Sequence, residues 1–234
     1  WDGGGGGKTT LAQLVYNDGK IDGHFDLKMW VHVSEDFSVR RITREIIESA
    51  SKGRQSELVN WNMVQDKLKG QLQGKRYLLV LDGVWNEDRN QWEPIFLPLM
   101  YGERGSKILI TTQNKNVANI MDMTSLYCLE GLSNRDCWLI FKRFAFGNEG
   151  SSGNPKLEGI GKEMVGKIKG LPLAAKTLGG LLCSKLDEDS WRIILESEIW
   201  ELPPNAKNIL SALRLSYQQL PAHLKQCFPY CTFF

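Results

Sequence analysis

The sequence predicts an α/β domain with a parallel sheet, followed by an all-α region. Three observations lead to this prediction: short apolar runs alternate with helix-like segments, a run of five glycines precedes the first of those segments, and strand-like runs stop near residue 132. The apolar runs are nearly continuous, whereas a strand with one solvated face would alternate apolar and polar residues. We therefore expect helices on both faces of the sheet.

The elements of the α/β domain follow from the spacing of apolar residues. The strand-like runs are 27–33, 77–82, 107–112 and a weaker run at 125–132. The helix-like segments repeat apolar residues at intervals of three and four, and they cover 10–16, 38–50 and 60–72. Asn60 stands at the start of the last segment, where an N-cap residue is expected.

Beyond residue 132 the pattern is helical. Ser133 is a candidate N-cap for a helix over 133–146, and the glycine-rich and serine-rich stretch 147–155 is typical of an exposed loop. The further predicted helices are 156–169, 172–184, 189–197, 205–219 and 222–231. The predicted domains are an α/β domain (1–132), a helical domain (133–202) and the start of a second helical domain (203–234).

The composition is that of a globular protein and argues against several classes of function. Hydrophobic residues make up 42% and charged residues 24% of the 234 positions, and the net charge is +2. That charge is too small and too evenly spread for a nucleic-acid partner. No apolar stretch is long enough for a membrane span, and the N-terminus lacks a signal-peptide pattern. The odd number of cysteines, 5, favours a reducing compartment, so we expect a cytoplasmic protein.

The glycine run resembles a phosphate-binding loop (P-loop), whose pattern is G-x-x-x-x-G-K-[ST]. Gly7, Lys8 and Thr9 match its last three positions: Lys8 would reach the β- and γ-phosphates, and Thr9 would offer a hydroxyl to Mg²⁺. Backbone N–H groups of the other glycines would surround the phosphates; these are Gly3, Gly4, Gly5 and Gly6. Asp2 stands where the first glycine is expected and places a carboxylate near the phosphates. The alternative is a flexible glycine linker before a helix.

Two later stretches favour the P-loop interpretation. The apolar run 77–82 ends in Asp82, where a Walker B carboxylate would hold Mg²⁺ through water, opposite Thr9. The run 107–112 ends in the polar residues Thr111 and Thr112 and is followed by Gln113, at a position next to the phosphates that commonly carries a sensor residue. The order of the three stretches is that of an α/β P-loop NTPase domain. For Asp82 alone, an ordinary Asp-Gly turn is the alternative.

Together these motifs resemble the NB-ARC domain of plant nucleotide-binding leucine-rich-repeat disease resistance proteins. The resemblance extends over the whole chain in ordered blocks; they include "GGGGGKTTLAQLVYND", "FDLKMWVHVSEDF", "YLLVLDGVW", "GSKILITTQNKNVA", "GLPLAAKTLGGLL" and "LRLSYQQLPAHLKQCFPYCTFF". Trp85, which ends the third block, resembles the coiled-coil subclass of the family. The resemblance therefore implies that the helical region corresponds to the family's ARC region.

The resemblance implies a molecular switch that is closed with ADP and opened by exchange for ATP, in defence signalling. The phosphate and Mg²⁺ contacts of the family match Gly7, Lys8, Thr9 and Thr10, and its Walker B acid matches Asp82. Pro172 of "GLPLA", with Leu173 beside it, matches the segment that packs by the adenine. The implied partners are a coiled-coil domain and leucine-rich repeats of the same protein, further copies on activation, and indirectly a pathogen effector or a guarded host protein.

Several positions depart from the family pattern. Gly6 replaces a hydrophobic residue, Gly83 replaces a second acid that is implicated in hydrolysis, and Gln113 replaces an arginine that reaches the γ-phosphate. Loss of such an electrostatic contact slows a reaction by about 10²-fold or more, so we expect nucleotide binding with weak hydrolysis. The alternatives are a non-binding scaffold or a decayed resistance-gene fragment, and then an active P-loop ATPase of another class. The sequence contains no LSGGQ-like transporter signature and no basic helicase motif, so it offers no support for an active P-loop ATPase of another class.

Two further expectations concern the ends of the sequence. A P-loop follows a strand inside the sheet, and the sequence begins at the loop, so we expect the first strand to be missing and residues 1–234 alone to be unstable. Near the other end, His223, Cys227 and Cys231 recur at every fourth position. Three ligands on consecutive turns of one helix chelate a metal poorly, so a buried apolar face is favoured over a metal site.

Overall fold

The structure is a computed structural model that describes residues 6–33, 36–51, 60–121, 125–147, 154–183, 185, 187–197 and 200. The described residues form two compact units, one of Lys8–Cys128 and one that contains Gly6 and Gly7 together with the residues from Leu129 onward. Several predictions fall outside the described residues. They concern Asp2, Gly3, Gly4, Gly5, the helices at 205–219 and 222–231, and the positions His223, Cys227 and Cys231.

The first unit is an α/β fold around a parallel sheet of three strands in the order β1-β2-β3. Its elements are α1 (Lys8–Tyr16), β1 (Leu27–His32), α2 (Val39–Ala50), α3 (Trp61–Leu72), β2 (Tyr77–Val84), α4 (Arg89–Leu99), β3 (Lys107–Thr112) and α5 (Lys115–Ile120). In the register, Leu27 lies opposite Tyr77 and His32 lies opposite Asp82. The predicted α/β class with a parallel sheet is confirmed.

Alternate residues of the strands pack into two separate hydrophobic cores. Met29 of β1, with Leu79 and Leu81 of β2, faces a large core that α2, α3 and α4 cover. Leu78 and Val80 face the opposite side, where they pack with Ala12 of α1. Because both faces of β2 are covered, its sequence is continuously apolar from Tyr77 to Leu81, as a buried parallel strand requires.

The helix starts that the sequence indicated are formed by side-chain caps. The hydroxyl of Ser38 accepts a hydrogen bond from the Arg41 N–H at the start of α2, and the Asn60 side chain accepts one from the Asn62 N–H at the start of α3.

Helices α4 and α5 were not predicted. Helix α4 contains two internal prolines, which normally oppose a helix, and α5 has only 6 residues.

The weak strand predicted over 125–132 is wrong. Residues 125–133 form no regular secondary structure, and none of them pairs with the sheet. Two of the apolar side chains that suggested a strand, Leu126 and Tyr127, are 55% and 77% exposed. An apolar run forms a strand only where a neighbouring strand and a covering layer are available to it, and spacing along the chain does not reveal either.

The second unit is helical. Its described elements are α6 (Asn134–Phe146), α7 (Pro155–Lys167), α8 (Pro172–Leu182) and α9 (Glu188–Leu195). Ser133 caps α6 as expected, and Phe141 and Trp191 lie at the centre of the core with less than 1% exposure. Helices α6 and α8 approach closely at Gly179, where a β-carbon would lie 2.6 Å from the carbonyl oxygen of Phe141.

Candidate functional site

The end of the glycine run forms the entry to helix α1. Gly7 has a φ angle of +86°, a conformation that side chains with a β-carbon rarely adopt, and a β-carbon built there would meet no atom within 4 Å. Helix α1 begins at Lys8, and its first turn carries no acidic residue. Thr9 and Thr10 are exposed in that turn. The N–H groups at a helix start favour an anion, so this end of α1 suits a phosphate.

Asp82 lies near the carboxyl end of β2 and is the acidic side chain at the centre of the site. It is only 4% exposed, and burial of a carboxylate costs free energy unless hydrogen bonds compensate. Two hydroxyl groups donate to its Oδ1 atom: that of Thr9 at 2.9 Å and that of Thr111 at 2.6 Å. The structure therefore brings Thr9 of the predicted P-loop and Asp82, the predicted Walker B acid, into direct contact across 73 residues of sequence.

The strand that carries Asp82 is irregular at this point. The pairing of β2 with β3 shifts register between Leu81 and Val84, and Gly83 has a φ angle of +75°. The Gly83 N–H donates to the Thr111 hydroxyl oxygen at 2.9 Å. The Thr111 hydroxyl thus accepts one hydrogen bond from the backbone and donates one to the carboxylate.

His32 is the third neighbour of Asp82. It is the last residue of β1, and its Nδ1 atom lies 3.4 Å from Oδ2 of Asp82. Its side chain is 68% exposed. A β-carbon built on Gly83 would lie 3.1 Å from Cε1 of His32, so the imidazole borders the space that a side chain at position 83 would enter.

The structure places the remaining predicted site residues in different parts of the chain. Gly6 is buried just before the helix entry, and Gln113 directly follows β3, half-buried, at the same end of the sheet as Asp82. Pro172 and Leu173 begin α8 in the second unit, where Leu173 is 38% exposed. The described residues contain no group of three or more His, Cys, Asp or Glu side chains that could hold a metal ion by themselves.

The sequence indicated Thr111 only as part of the polar strand end Thr111, Thr112 and Gln113, without a role of its own, and it did not indicate His32. Thr111 and His32 lie at the carboxyl ends of strands that flank β2, and the carboxyl ends of parallel strands meet at one edge of a sheet. The order of the strands would have been sufficient to find them. That order depends on pairing between distant segments, and it cannot be deduced from the spacing within each strand.

The oxygen atoms at this edge fit a magnesium ion. Magnesium prefers hard oxygen ligands, commonly one or two carboxylates together with the phosphates of a nucleotide. Here the Thr9 hydroxyl and the Asp82 carboxylate already lie 2.9 Å apart, beside the helix entry that suits a phosphate. The site therefore has the donor set that a nucleotide-bound magnesium ion requires.

Comparison with known families agrees with this geometry. Residues 2–151 match the NB-ARC domain. The chain belongs to the NB-ARC family. NB-ARC is a P-loop NTPase domain that binds nucleotides, and the resemblance seen in the sequence is thereby confirmed.

Relatives of this NB-ARC chain are plant disease resistance proteins. It is 49% identical over 231 residues to disease resistance protein RGA2 of Solanum bulbocastanum, an alignment that covers 99% of this chain and 24% of RGA2. It is 39% identical over 231 residues to disease resistance RPP13-like protein 4 of Arabidopsis thaliana, which covers 96% of this chain and 27% of that protein. The chain thus spans about a quarter of the length of these relatives. Within its described residues, no helix has the length and apolar character of a membrane crossing.

Proposed function

We propose that this NB-ARC chain binds ADP or ATP and acts as the nucleotide-dependent switch of a plant immune receptor. The observation that carries the proposal is the contact between Thr9 and Asp82 beside the start of α1. A functional nucleotide site accounts for a buried carboxylate at this place, next to a threonine hydroxyl and the start of a helix. The disease resistance relatives support the receptor context.

Each proposed site residue has a role that follows from its chemistry. The backbone N–H groups at positions 3–7 and the start of α1 would hold the phosphates, Lys8 would neutralise their charge, and Thr10 would contact them from the first turn. Thr9 and Asp82 would hold Mg²⁺, which neutralises phosphate charge when it is bound. Pro172 and Leu173 would pack against the adenine, and Gln113 would occupy the sensor position.

Hydrolysis is proposed to be weak because position 83 offers no acid. Gly83 has no side chain to orient a water molecule, and its positive φ angle is one that an aspartate adopts only with strain. Gln113 is uncharged where an arginine would stabilise the charge of the transition state. The switch would therefore remain in its ATP-bound state for long periods, because hydrolysis is the step that ends that state.

The wider context is proposed from the family. The receptor is cytoplasmic, belongs to the coiled-coil subclass, and combines this chain with a coiled-coil domain and leucine-rich repeats. Activation leads to self-association, and the signal comes from a pathogen effector directly or through a guarded host protein. Within the chain, the proposed functional domains are 1–132, 133–202 and 203–234.

The test is to purify the full-length protein, denature it and identify the nucleotide that it releases. Lys8→Ala removes the phosphate-binding cation, and Lys20→Ala, an exposed lysine in the turn after α1, is the matched control. We expect ADP in the wild type and in Lys20→Ala, and none in Lys8→Ala. Folded wild-type protein without nucleotide would instead indicate a scaffold or a decayed receptor, and rapid ATP turnover would contradict weak hydrolysis.

A further inference from the structure

We propose that Thr111 is a positioning residue for the magnesium–nucleotide site. Its hydroxyl sets the orientation of the Asp82 carboxylate and thereby determines how much Mg²⁺ strengthens nucleotide binding. This inference rests on the proposed function, since it concerns the same site. It assigns a role to a residue that the P-loop and Walker B motifs do not include.

The direction of the Thr111 hydrogen bonds is determined by the chemistry of its neighbours. A hydroxyl has one proton to donate and lone pairs that accept. The Gly83 N–H can only donate, so at 2.9 Å it must use a lone pair of the Thr111 oxygen. The single hydroxyl proton is then available for Oδ1 of Asp82, at 2.6 Å. A hydrogen bond to an ionised carboxylate is shorter and stronger than one between neutral groups, in keeping with this distance.

The irregularity of β2 explains why a side chain is needed here. The shift of register between Leu81 and Val84 takes Gly83 out of the regular pairing with β3. A backbone N–H that is left without an acceptor in a buried place costs free energy comparable to a lost hydrogen bond. Thr111 is 8% exposed, and its hydroxyl supplies the missing acceptor. The same hydroxyl therefore connects the conformation of Gly83 to the orientation of Asp82.

Thr9 cannot provide this orientation by itself. Its hydroxyl also donates to Oδ1 of Asp82, but Thr9 is a proposed ligand of Mg²⁺ and its hydroxyl would serve the metal when nucleotide is bound. His32 is 3.4 Å from Oδ2, a long separation for a hydrogen bond, and its side chain is mostly exposed. Among the described neighbours, Thr111 is thus the buried donor that holds the carboxylate independently of the metal.

The experiment measures the affinity of the full-length protein for ADP with Mg²⁺ and with EDTA, and compares the two as a ratio. Thr111→Val removes the hydroxyl at similar volume, Thr111→Ala removes it with a smaller side chain, and Thr111→Ser retains it. Thr43→Val is the matched control: Thr43 is also fully buried, but its hydroxyl donates to the Val39 carbonyl within α2, at 2.8 Å. Since both affinities come from one preparation, unfolded protein lowers the number of sites and leaves the ratio unchanged.

We expect Thr111→Val and Thr111→Ala to reduce the Mg²⁺-dependent gain in affinity by about tenfold or more, the usual effect of removing a group that orients a metal ligand. Affinity in EDTA should not change, and Thr111→Ser and Thr43→Val should behave like the wild type. In an Asp82→Asn background, Thr111→Val should cause no further loss, because the carboxylate that it orients is absent.

Two results would overturn the proposal. If Thr111→Val and Thr111→Ala keep the full gain from Mg²⁺, or lose affinity equally with and without it, Thr111 has only a structural role. That result would leave the nucleotide switch intact. If the folded wild type binds no ADP in either condition, both the switch and the role of Thr111 are refuted.

Discussion

The two units of this NB-ARC chain differ in the kinds of side chain that they bury. In the described α/β unit, Asp82, Thr111 and Thr43 are buried, and two of them meet at one edge of the sheet. In the described helical unit, the buried core consists of apolar side chains packed around Phe141 and Trp191. Buried polar groups are costly and apolar packing is not. We therefore expect substitutions at the sheet edge to alter nucleotide affinity, and substitutions in the helical core to alter the free energy of unfolding.

Packing in the helical unit is close enough to exclude single methyl groups. Trp191 contacts Phe141 edge-on at 5.7 Å and stacks on Phe146 at 5.5 Å between ring centres. A β-carbon at Gly161 would lie 2.8 Å from ring atoms of both Phe141 and Trp138. The glycines of this core are therefore positions where neighbouring helices lie close together. Substitutions at these glycines test whether close packing determines the stability of the helical unit.

The largest effect is expected from Gly179→Ala in α8. The new methyl group would lie 2.6 Å from the Phe141 carbonyl oxygen and 2.9 Å from Cβ of Phe144, so α6 and α8 must separate. Overpacking of this kind lowers the free energy of unfolding by about 1–3 kcal/mol. Chemical unfolding followed by tryptophan fluorescence would measure the loss.

Gly180→Ala is the control for that prediction, because a β-carbon there meets no atom within 4 Å. It should leave stability unchanged or raise it by up to about 1 kcal/mol, the helix preference of alanine over glycine. Equal effects of the two substitutions would show that helix propensity, and not close packing, governs α8. Gly180→Ala should not alter the affinity for nucleotide, because its new methyl group enters open space.

The next effect concerns the sheet edge, where Gly83→Asp restores the acid that the family usually carries. We expect no gain in ATP hydrolysis, because residue 83 has a φ angle of +75° and a side chain there approaches His32. The left-handed conformation costs a residue with a β-carbon about 1–2 kcal/mol. Single-turnover assays would measure hydrolysis, and thermal unfolding would measure the cost.

Gly83→Ala tests the backbone contribution without a carboxylate. Aspartate adopts a positive φ angle more readily than alanine, because its short polar side chain can form local hydrogen bonds, so the backbone cost should be larger in Gly83→Ala than in Gly83→Asp. A clear rise in hydrolysis in Gly83→Asp alone would show that the acid can be accommodated productively. In that case the weak hydrolysis proposed for the wild type results from a missing side chain and not from the backbone.

The smallest effect is expected from Tyr77→Phe, a buried hydroxyl of the α/β unit outside the site. The Tyr77 hydroxyl donates to the Leu99 carbonyl oxygen at 2.9 Å, and its loss should cost about 0.5–1.5 kcal/mol at neutral pH. Nucleotide affinity should stay the same. An altered affinity would show that the separation between binding and stability does not hold within this unit.

Alkaline pH provides a second measurement on Tyr77. Burial raises the pKa of Tyr77 to about 12, so the folded protein favours the neutral phenol more than the unfolded chain does. The resulting stability is fully present below the unfolded pKa of about 10 and is lost as pH rises through the folded pKa. Phenylalanine does not ionise, so the stability advantage of the wild type over Tyr77→Phe should shrink above pH 10.

Much of the fold could be predicted because it depends on local chemistry. Asn60 and Ser133 cap helices as the sequence predicted, and Ser38 caps the helix predicted over 38–50, since a cap needs only an N–H two or three residues away. The strands were recognisable as short apolar runs, most clearly β2, which is buried along almost its whole length. Helix α4 was missed for the converse reason: its packing with α2 and α3 in the core overrides the cost of its two prolines.

The sequence alone was sufficient to predict an acid near the end of a buried strand and a threonine in the first turn of the first helix. It could not show that Thr9 and Thr111 donate to the same oxygen of Asp82, or that His32 lies beside the other oxygen. These partners are separated by 73, 29 and 50 residues of sequence. Their meeting depends on strand order and on the register shift at Gly83, which are set by pairing between distant segments. A linear motif contains the ligands, but the pairing of the strands aligns them.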